Sequence, residues 1–145
     1  MIVKGHEHRQ IIEKAADSSY PRECCGLLAG RVDNNGNFQI TRISESENVA
    51  TSNTYERFEV DPKVRFDLMK MLEDSDEGII GHYHSHPDSK AVPSAYDLEM
   101  VFEPDLIWII ASVIQGKTDD IRAYAYDEGN KAFLEMELLT RDKTI

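Results

Sequence analysis

Two segments near the middle of the chain indicate the fold: residues 78–87 read GIIGHYHSHP, and residues 94–97 read SAYD. The first segment is apolar until it reaches the histidines, and its length suits a strand that enters a sheet. His84 and His86 lie two residues apart, so both imidazoles project from the same face of an extended backbone. Both imidazoles can therefore reach one metal ion. We expect Pro87 to stop further ladder pairing.

The second segment can return a carboxylate to the same place. Asp97 lies eleven residues after His86, and Ser94 is a suitable N-cap for a short helix over residues 94–102. Two imidazole nitrogens and one carboxylate oxygen would leave a fourth position open, which is the pattern of catalytic zinc. Ser94 and Asp97 also fit a capping box, which needs no metal, and each residue taken alone is more often structural.

The joint pattern resembles the signature of the JAMM (MPN-plus) metallopeptidases: His-x-His-Pro, six residues, Ser, two residues, Asp. The matching positions are His84, His86, Pro87, Ser94 and Asp97. The family also carries an upstream glutamate between a helix and a strand. The text PRECCGLLAG at residues 21–30 resembles that region and contains Glu23. The resemblance is to the compact prokaryotic branch and extends from the first helix to Ile114.

The resemblance implies one zinc ion per chain, bound by His84, His86 and Asp97, with water in the fourth position. Glu23 would take a proton from that water during attack and deliver it to the departing amine. Ser94 would donate a hydrogen bond to the developing oxyanion. The family pattern does not use His82, which we expect to lie beside the ligands or to be partly exposed.

The length of 145 residues and the lack of an internal repeat or linker predict a single domain over residues 1–145, and hydrophobic periodicity predicts an α/β domain of the α+β type. A mixed, mostly antiparallel sheet is flanked by two or three helices, and the resemblance implies a cytidine-deaminase-like JAMM/MPN fold. The predicted helices span residues 6–18, 62–74 and 94–102, the second with Asp61 as its N-cap. The predicted strands span residues 24–32, 38–49, 55–60, 78–84, 106–114, 121–126 and 131–139.

The charge of the chain restricts its partners. There are 27 acidic and 16 basic residues, and the net charge of −11 disfavours nucleic acids and anionic membrane surfaces. No window approaches the ~20 apolar residues of a membrane span, and no signal-like segment opens the chain, so we expect a cytoplasmic protein. Cys24 and Cys25 are adjacent and lack a CxxC spacing, so we expect them to be reduced packing residues.

Members of the family cleave amide or isopeptide bonds after the C-terminal tail of ubiquitin-like proteins. Only 24 residues run from Asp61 to His84 inclusive, which leaves little room for the insertions of the eukaryotic branch. The resemblance therefore implies, as substrate, a ubiquitin-fold sulfur-carrier protein with an amide-linked extension after its Gly-Gly end.

Two alternatives to this function stay open. One is a non-catalytic MPN-type interaction scaffold, which would predict substitutions at the metal positions. The other is a zinc peptidase that acts on a different amide, because loops such as residues 50–55 and 88–93 would select the substrate. The sequence does not determine the identity of the carrier, the oligomeric state or the need for a partner.

Overall fold

The computed structural model describes residues 1–141, which form eight strands and three helices. In chain order these are β1 (Ile2–Lys4), α1 (His6–Ser19), β2 (Cys25–Val32), β3 (Phe38–Ser46), α2 (Pro62–Met71), β4 (Gly78–Pro87), α3 (Ala95–Glu99), β5 (Ile107–Ile114), β6 (Lys117–Asp127), β7 (Ala132–Met136) and β8 (Leu138–Thr140). As predicted, Asp61 caps α2, and its carboxylate accepts a hydrogen bond from the Lys63 amide at 2.9 Å. Within residues 1–141, no helix has the length and apolar content needed to cross a membrane.

The strands form one sheet in the order β7–β6–β5–β4–β2–β3–β1–β8. Four neighbouring pairs are antiparallel, and three pairs (β4–β5, β1–β3 and β1–β8) are parallel. The predicted mixed, mostly antiparallel sheet with flanking helices is therefore confirmed. β4 lies near the centre of the sheet between β2 and β5, so strands on both sides fix the position of its histidines.

Different helices cover the two faces of the sheet. Helix α1 packs through Ile12 and Ala16 into the core cluster that contains Leu28. Helix α2 packs through Leu68 against Leu27, the residue before Leu28, because successive side chains of a strand point to opposite faces. Each fully buried aliphatic side chain of this kind contributes about 1.5–3 kcal/mol to folding.

The predicted strand over residues 55–60 is wrong. The segment turns at residues 54–56, and Val60 forms only an isolated bridge with Asn48. The side chain of Asn48 bonds the carbonyl of Arg57 and the amide of Glu59, and these backbone groups are the ones that a ladder would use. A side chain therefore replaces a strand partner in this segment.

β4 ends at Pro87, where the ladder was predicted to stop, and so extends three residues beyond the predicted end of the strand at His84. Pro87 aligns with Val113 of β5, and the next amide, of Asp88, donates to the Val113 carbonyl. On the other side, β2 begins with Cys25 opposite His84. Position 87 has no β2 residue beside it, so its missing N–H removes no ladder bond.

The sequence pattern missed β1 and the break between β7 and β8. β1 has three residues, too few to show a period, and it pairs with β3 and β8. The predicted strand over residues 131–139 breaks at Glu137, whose carbonyl accepts a hydrogen bond from the Ile2 amide at 2.8 Å. Lys4 is buried, and its Nζ donates to Thr140 Oγ1 at 2.8 Å. Helices α2 and α3 also end three residues earlier than predicted.

Candidate metal centre and active-site cleft

The end of β4 brings two imidazoles together. His84 is 0% exposed and His86 is 7% exposed, and their Nε2 atoms lie 3.1 Å apart. The alternation of the strand places both rings on one face, as their spacing predicted. Two nitrogen atoms of the kind that bind zinc therefore lie side by side in the protein interior.

The first turn of α3 adds a carboxylate to this pair. Asp97 is 2% exposed, with Oδ2 at 3.0 Å from His86 Nε2 and Oδ1 at 3.3 Å from His84 Nε2. The predicted capping box fixes this position: the Asp97 amide donates to Ser94 Oγ at 3.0 Å, and the Ser94 amide donates to Asp97 Oδ2 at 2.9 Å. The donor atoms of His84, His86 and Asp97 all lie within 4.8 Å of one another.

Neighbouring groups orient the two rings. His86 Nδ1 lies 3.0 Å from the Lys90 carbonyl, which can only accept, so Nδ1 carries the proton and Nε2 presents a lone pair. His84 stacks on Phe58, with ring centroids 4.3 Å apart and planes inclined by 16°. The lone pair of His86 Nε2 therefore faces an oxygen of Asp97 at 3.0 Å, an arrangement that a cation between them would stabilise.

The charge state of the cluster suits a cation as well. Burial lowers the pKa of His84, which favours the neutral imidazole that a metal requires. Burial acts to raise the pKa of Asp97, but its contacts with the rings of His84 and His86 and the hydrogen bond from the Ser94 amide outweigh burial and hold the pKa well below its usual range. The cluster therefore offers a neutral imidazole at His84 and an ionised carboxylate at Asp97, with the ring of His86 beside them.

Glu23 lies two residues before β2 and is 4% exposed. Its Oε1 atom is buried and has no hydrogen-bond partner within residues 1–141. Burial, together with the negative charges of Asp97 and Glu56, raises the pKa of Glu23 from its ordinary value to about 9. A cation in the neighbouring cluster would oppose these effects and return the carboxyl group toward its ionised form.

Glu23, His86 and Ser94 line one open cleft of about 670 Å³, together with Tyr55, Glu56 and Tyr96. Ser94 is exposed, and its Oγ accepts from the Asp97 amide, so the hydroxyl proton remains available to a bound molecule. The structure thus gathers His84, His86 and Asp97 into one cluster and places Glu23 and Ser94 on the cleft beside it.

His82 lies beside the cluster, as expected, and outside the group of three donors. Its ring packs edge-on against Trp108 at 4.3 Å, and its centroid is 6.4 Å from that of His84. Burial lowers the pKa of His82 to about 3, so the ring is neutral at ordinary pH. It lines a second cavity of about 540 Å³, mostly apolar, that shares Tyr96 with the cleft.

The two cysteines are free and buried, as predicted. Burial raises the pKa of Cys24 to about 11 and that of Cys25 to about 12, so both remain thiols at neutral pH. The sequence analysis assigned no role in the site to Phe58 or Asn48 and placed them only in predicted strands. Only the tertiary structure places the ring of Phe58 on His84.

The chain resembles several characterised proteins. The desampylase of Haloferax volcanii is 35% identical over 92 residues, which cover 63% of each chain, so this chain spans less than two thirds of that relative. The CysO-cysteine peptidase of Mycobacterium tuberculosis is 29% identical over 114 residues, 79% of this chain and 75% of the relative. A probable TtuB-protein conjugate cleaving protease of Thermus thermophilus is 32% identical over 114 residues, 79% and 68% of the two chains. These relatives are named as a desampylase, a peptidase and a protease, in agreement with the class of enzyme that the sequence predicted.

Solved structures agree on the fold. A solution structure of a protein from Desulfitobacterium hafniense superposes with a TM-score of 0.84 at 26% identity, covering 99% of this chain and 94% of the other. The crystal structure of a JAB1/MPN domain protein from Archaeoglobus fulgidus gives a TM-score of 0.58 at 19% identity, covering 97% and 98%. The model of the family Prok-JAB, prokaryotic homologs of the JAB domain, matches residues 6–127. The chain therefore belongs to the prokaryotic JAB family.

Proposed function

We propose that the chain is a zinc-dependent peptidase or isopeptidase. It hydrolyses the amide bond after the C-terminal Gly-Gly tail of a ubiquitin-fold sulfur-carrier protein. The observation that carries this proposal is the buried cluster of His84, His86 and Asp97 beside a cleft that Glu23 and Ser94 line. Two relatives are named for cleaving CysO-cysteine and TtuB-protein conjugates, which supports this class of substrate.

The donor set fits zinc. Catalytic zinc takes two or three histidines, with or without a carboxylate, and keeps one position open. His84 Nε2, His86 Nε2 and Asp97 supply three such donors with separations of 3.0 to 3.3 Å. When bound there, zinc would supply Lewis-acid chemistry that lowers the pKa of water from about 15.7 to about 7.

The residues of the chain would divide the remaining work. Glu23 would accept the proton of the attacking water at its unpartnered Oε1 and return it to the departing amine. Ser94 would donate its free hydroxyl proton to the oxyanion that forms on the substrate carbonyl. The Lys90 carbonyl would hold His86 with Nε2 toward the cluster, since it accepts the Nδ1 proton.

The location and partners belong to the same proposal. We expect one zinc ion and one catalytic domain, residues 1–145, acting in the cytoplasm, where two unpaired cysteines remain reduced. The net charge of −11 disfavours nucleic acids and anionic membranes as partners. It favours a substrate that presents a basic surface near the cleft.

The test measures zinc content and cleavage of a Gly-Gly-terminated sulfur-carrier fusion, before and after chelation. One zinc per chain, with cleavage lost on chelation and restored by zinc, is the expected result. Zinc binding without cleavage of the fusion would indicate a zinc peptidase that acts on a different amide. Neither zinc uptake nor cleavage after zinc addition would contradict the enzyme and favour an interaction scaffold.

A further inference from the structure

We infer that Asn48 is a positioning residue, which holds Glu23 and the loop of residues 49–59 together as one unit at the edge of the cleft. The inference rests on the proposed function, because Glu23 is the catalytic base there. Asn48 itself does not line the cleft and acts through the main chain of the residues it binds.

The side chain of Asn48 is fully used by backbone partners. Its Nδ2 donates to the carbonyls of Glu23 at 3.1 Å and Arg57 at 2.9 Å. Its Oδ1 accepts from the amides of Ala50 at 3.1 Å and Glu59 at 3.0 Å. An asparagine amide offers two donors and two lone pairs, and all four are used here. One bond holds Glu23, and the other three hold the two ends of the loop.

Glu23 depends on this loop because it lies outside the sheet. β2 begins two residues later, at Cys25, so no ladder bond fixes the Glu23 backbone. Its amide donates to the Thr54 carbonyl at 2.8 Å, and its carbonyl accepts from Asn48. Both backbone groups of the base are therefore held by residues 48–54, while Ser85 Oγ accepts from the next amide, of Cys24, at 2.7 Å.

The same loop forms the surroundings of the site. Tyr55 and Glu56 line the cleft, Phe58 stacks on His84, and the Arg57 guanidinium lies 4.7 Å from the centre of the Tyr96 ring. A displacement of the loop would therefore move the base and one wall of the cleft together. Misplacement of a catalytic group by about 1 Å can cost about 100-fold in rate.

Main-chain contacts near Asn48 do not depend on its side chain. Asn48 and Val60 form a backbone bridge, and the Val49 amide donates to the Glu59 carbonyl at 3.0 Å. A substitution of the side chain should therefore leave the ends of the loop paired. This separation makes Asn48 suitable for testing by mutation.

The first variant is Asn48→Asp, which keeps the shape and the acceptor oxygen but removes both N–H donors. We expect kcat to fall by about 10- to 100-fold, with KM within about threefold and one zinc per chain retained. Asn48→Ala removes all four bonds and carries no charge. It should show the same loss in kcat with a higher KM, so a loss common to both variants comes from the missing donors.

Asn130→Asp is the matched control. Asn130 Nδ2 also donates to an oxygen, Asp127 Oδ2, at 2.7 Å, but in the turn between β6 and β7 and not on the cleft. The same chemical change at this position should leave kcat, KM and zinc content unchanged. A loss of activity in the control equal to that of Asn48→Asp would overturn the inference.

Amide hydrogen exchange of the zinc-free protein gives a second readout that needs no activity. In Asn48→Asp, the Glu23 amide should exchange at least about tenfold faster, while the Ile109 amide of β5 keeps its protection. The inference is overturned if Asn48→Asp retains kcat within twofold or if Glu23 exchange is unchanged. If the parent chain shows no zinc-dependent cleavage, the proposed function fails, and Glu23 exchange alone decides the positioning role.

Discussion

The histidine pair of β4 and the cysteine pair at the start of β2 are neighbours with different chemistry. Cys25 lies directly opposite His84 in the register of the two strands, and all four side chains are buried. The histidines share a carboxylate within hydrogen-bond distance, whereas Cys25 Sγ donates to the carbonyls of Glu47 and Glu59 at 3.7 Å, which are neutral acceptors. Burial alone keeps a thiol protonated and unreactive. A buried position can serve a metal site only where several ligand atoms lie close together.

The difference follows from sequence spacing. Residues two apart on an extended backbone project from one face, and adjacent residues project from opposite faces. The rings of His84 and His86 therefore lie side by side. Cys24, in contrast, packs into the core cluster formed with α1, and Cys25 lies outside that cluster. A pair of chemically capable side chains predicts a site only when the backbone geometry brings their functional atoms together.

The largest effect is expected when one of the proposed zinc ligands is removed. His84→Ala or Asp97→Ala should lower zinc affinity by more than about 100-fold and abolish turnover, since even residues that only orient a ligand contribute 10- to 100-fold. Zinc content after dialysis, measured together with fusion cleavage, checks this. Retention of one tightly bound zinc per chain in both variants would contradict the ligand assignment.

Replacing the base separates chemistry from metal binding. Glu23→Gln keeps the size of the side chain and removes the proton acceptor, so kcat should fall by about 10²- to 10⁴-fold with zinc retained. Single-turnover cleavage with zinc-loaded protein is the measurement. Near-normal turnover would assign the base to another residue of the cleft.

Ser94 tests whether one hydroxyl serves both the helix and the reaction. Ser94→Ala should lower kcat by about 10²-fold through the lost oxyanion donor and lower stability by about 0.5–2 kcal/mol through the lost cap. Ser94→Thr keeps the hydroxyl and should recover most of both. If the alanine variant loses stability but keeps its kcat, Ser94 is only a cap.

The smallest effect is expected on the cysteine side. Cys24→Ala and Cys25→Ala should leave kcat within about twofold of the parent and cost about 1 kcal/mol of stability each, as buried thiols replaced by a smaller side chain. Urea unfolding and fusion cleavage measure the two quantities. Complete inactivation with zinc still bound would show that the thiols do take part in the reaction.

Local spacing predicts part of this site, and long-range contacts determine the rest. The two histidines, the capping box and Asp97 follow from strand and helix periods within residues 84–97. Glu23 was identified only through resemblance, because distant residues hold it in place. Asn48, 25 residues away, bonds its carbonyl, and Ser85 accepts a hydrogen bond from the amide of Cys24, 61 residues away. No local pattern indicates that a side chain replaces a strand partner at residues 55–60.

The same division holds for the fold. Apolar runs predicted β2, β4 and β5, whose side chains are buried over most of their length. β1 could not be predicted because its three residues are held by β3 and β8, two strands that are distant from it in the sequence. The break at Glu137 has the same origin, since its carbonyl bonds the Ile2 amide.

The pairing of β1 with β8 also sets the order in which a newly made chain can fold. Lys4 and its hydrogen-bond partner Thr140 are 136 residues apart. At a synthesis rate of roughly 5–20 residues per second, Thr140 is synthesised on the order of ten seconds after Lys4. The residues of the donor cluster and of the cleft beside it, 21–97, have been synthesised well before then. The residues of the candidate site are therefore synthesised early, and the outer edge of the sheet pairs last, as a slow, non-local step.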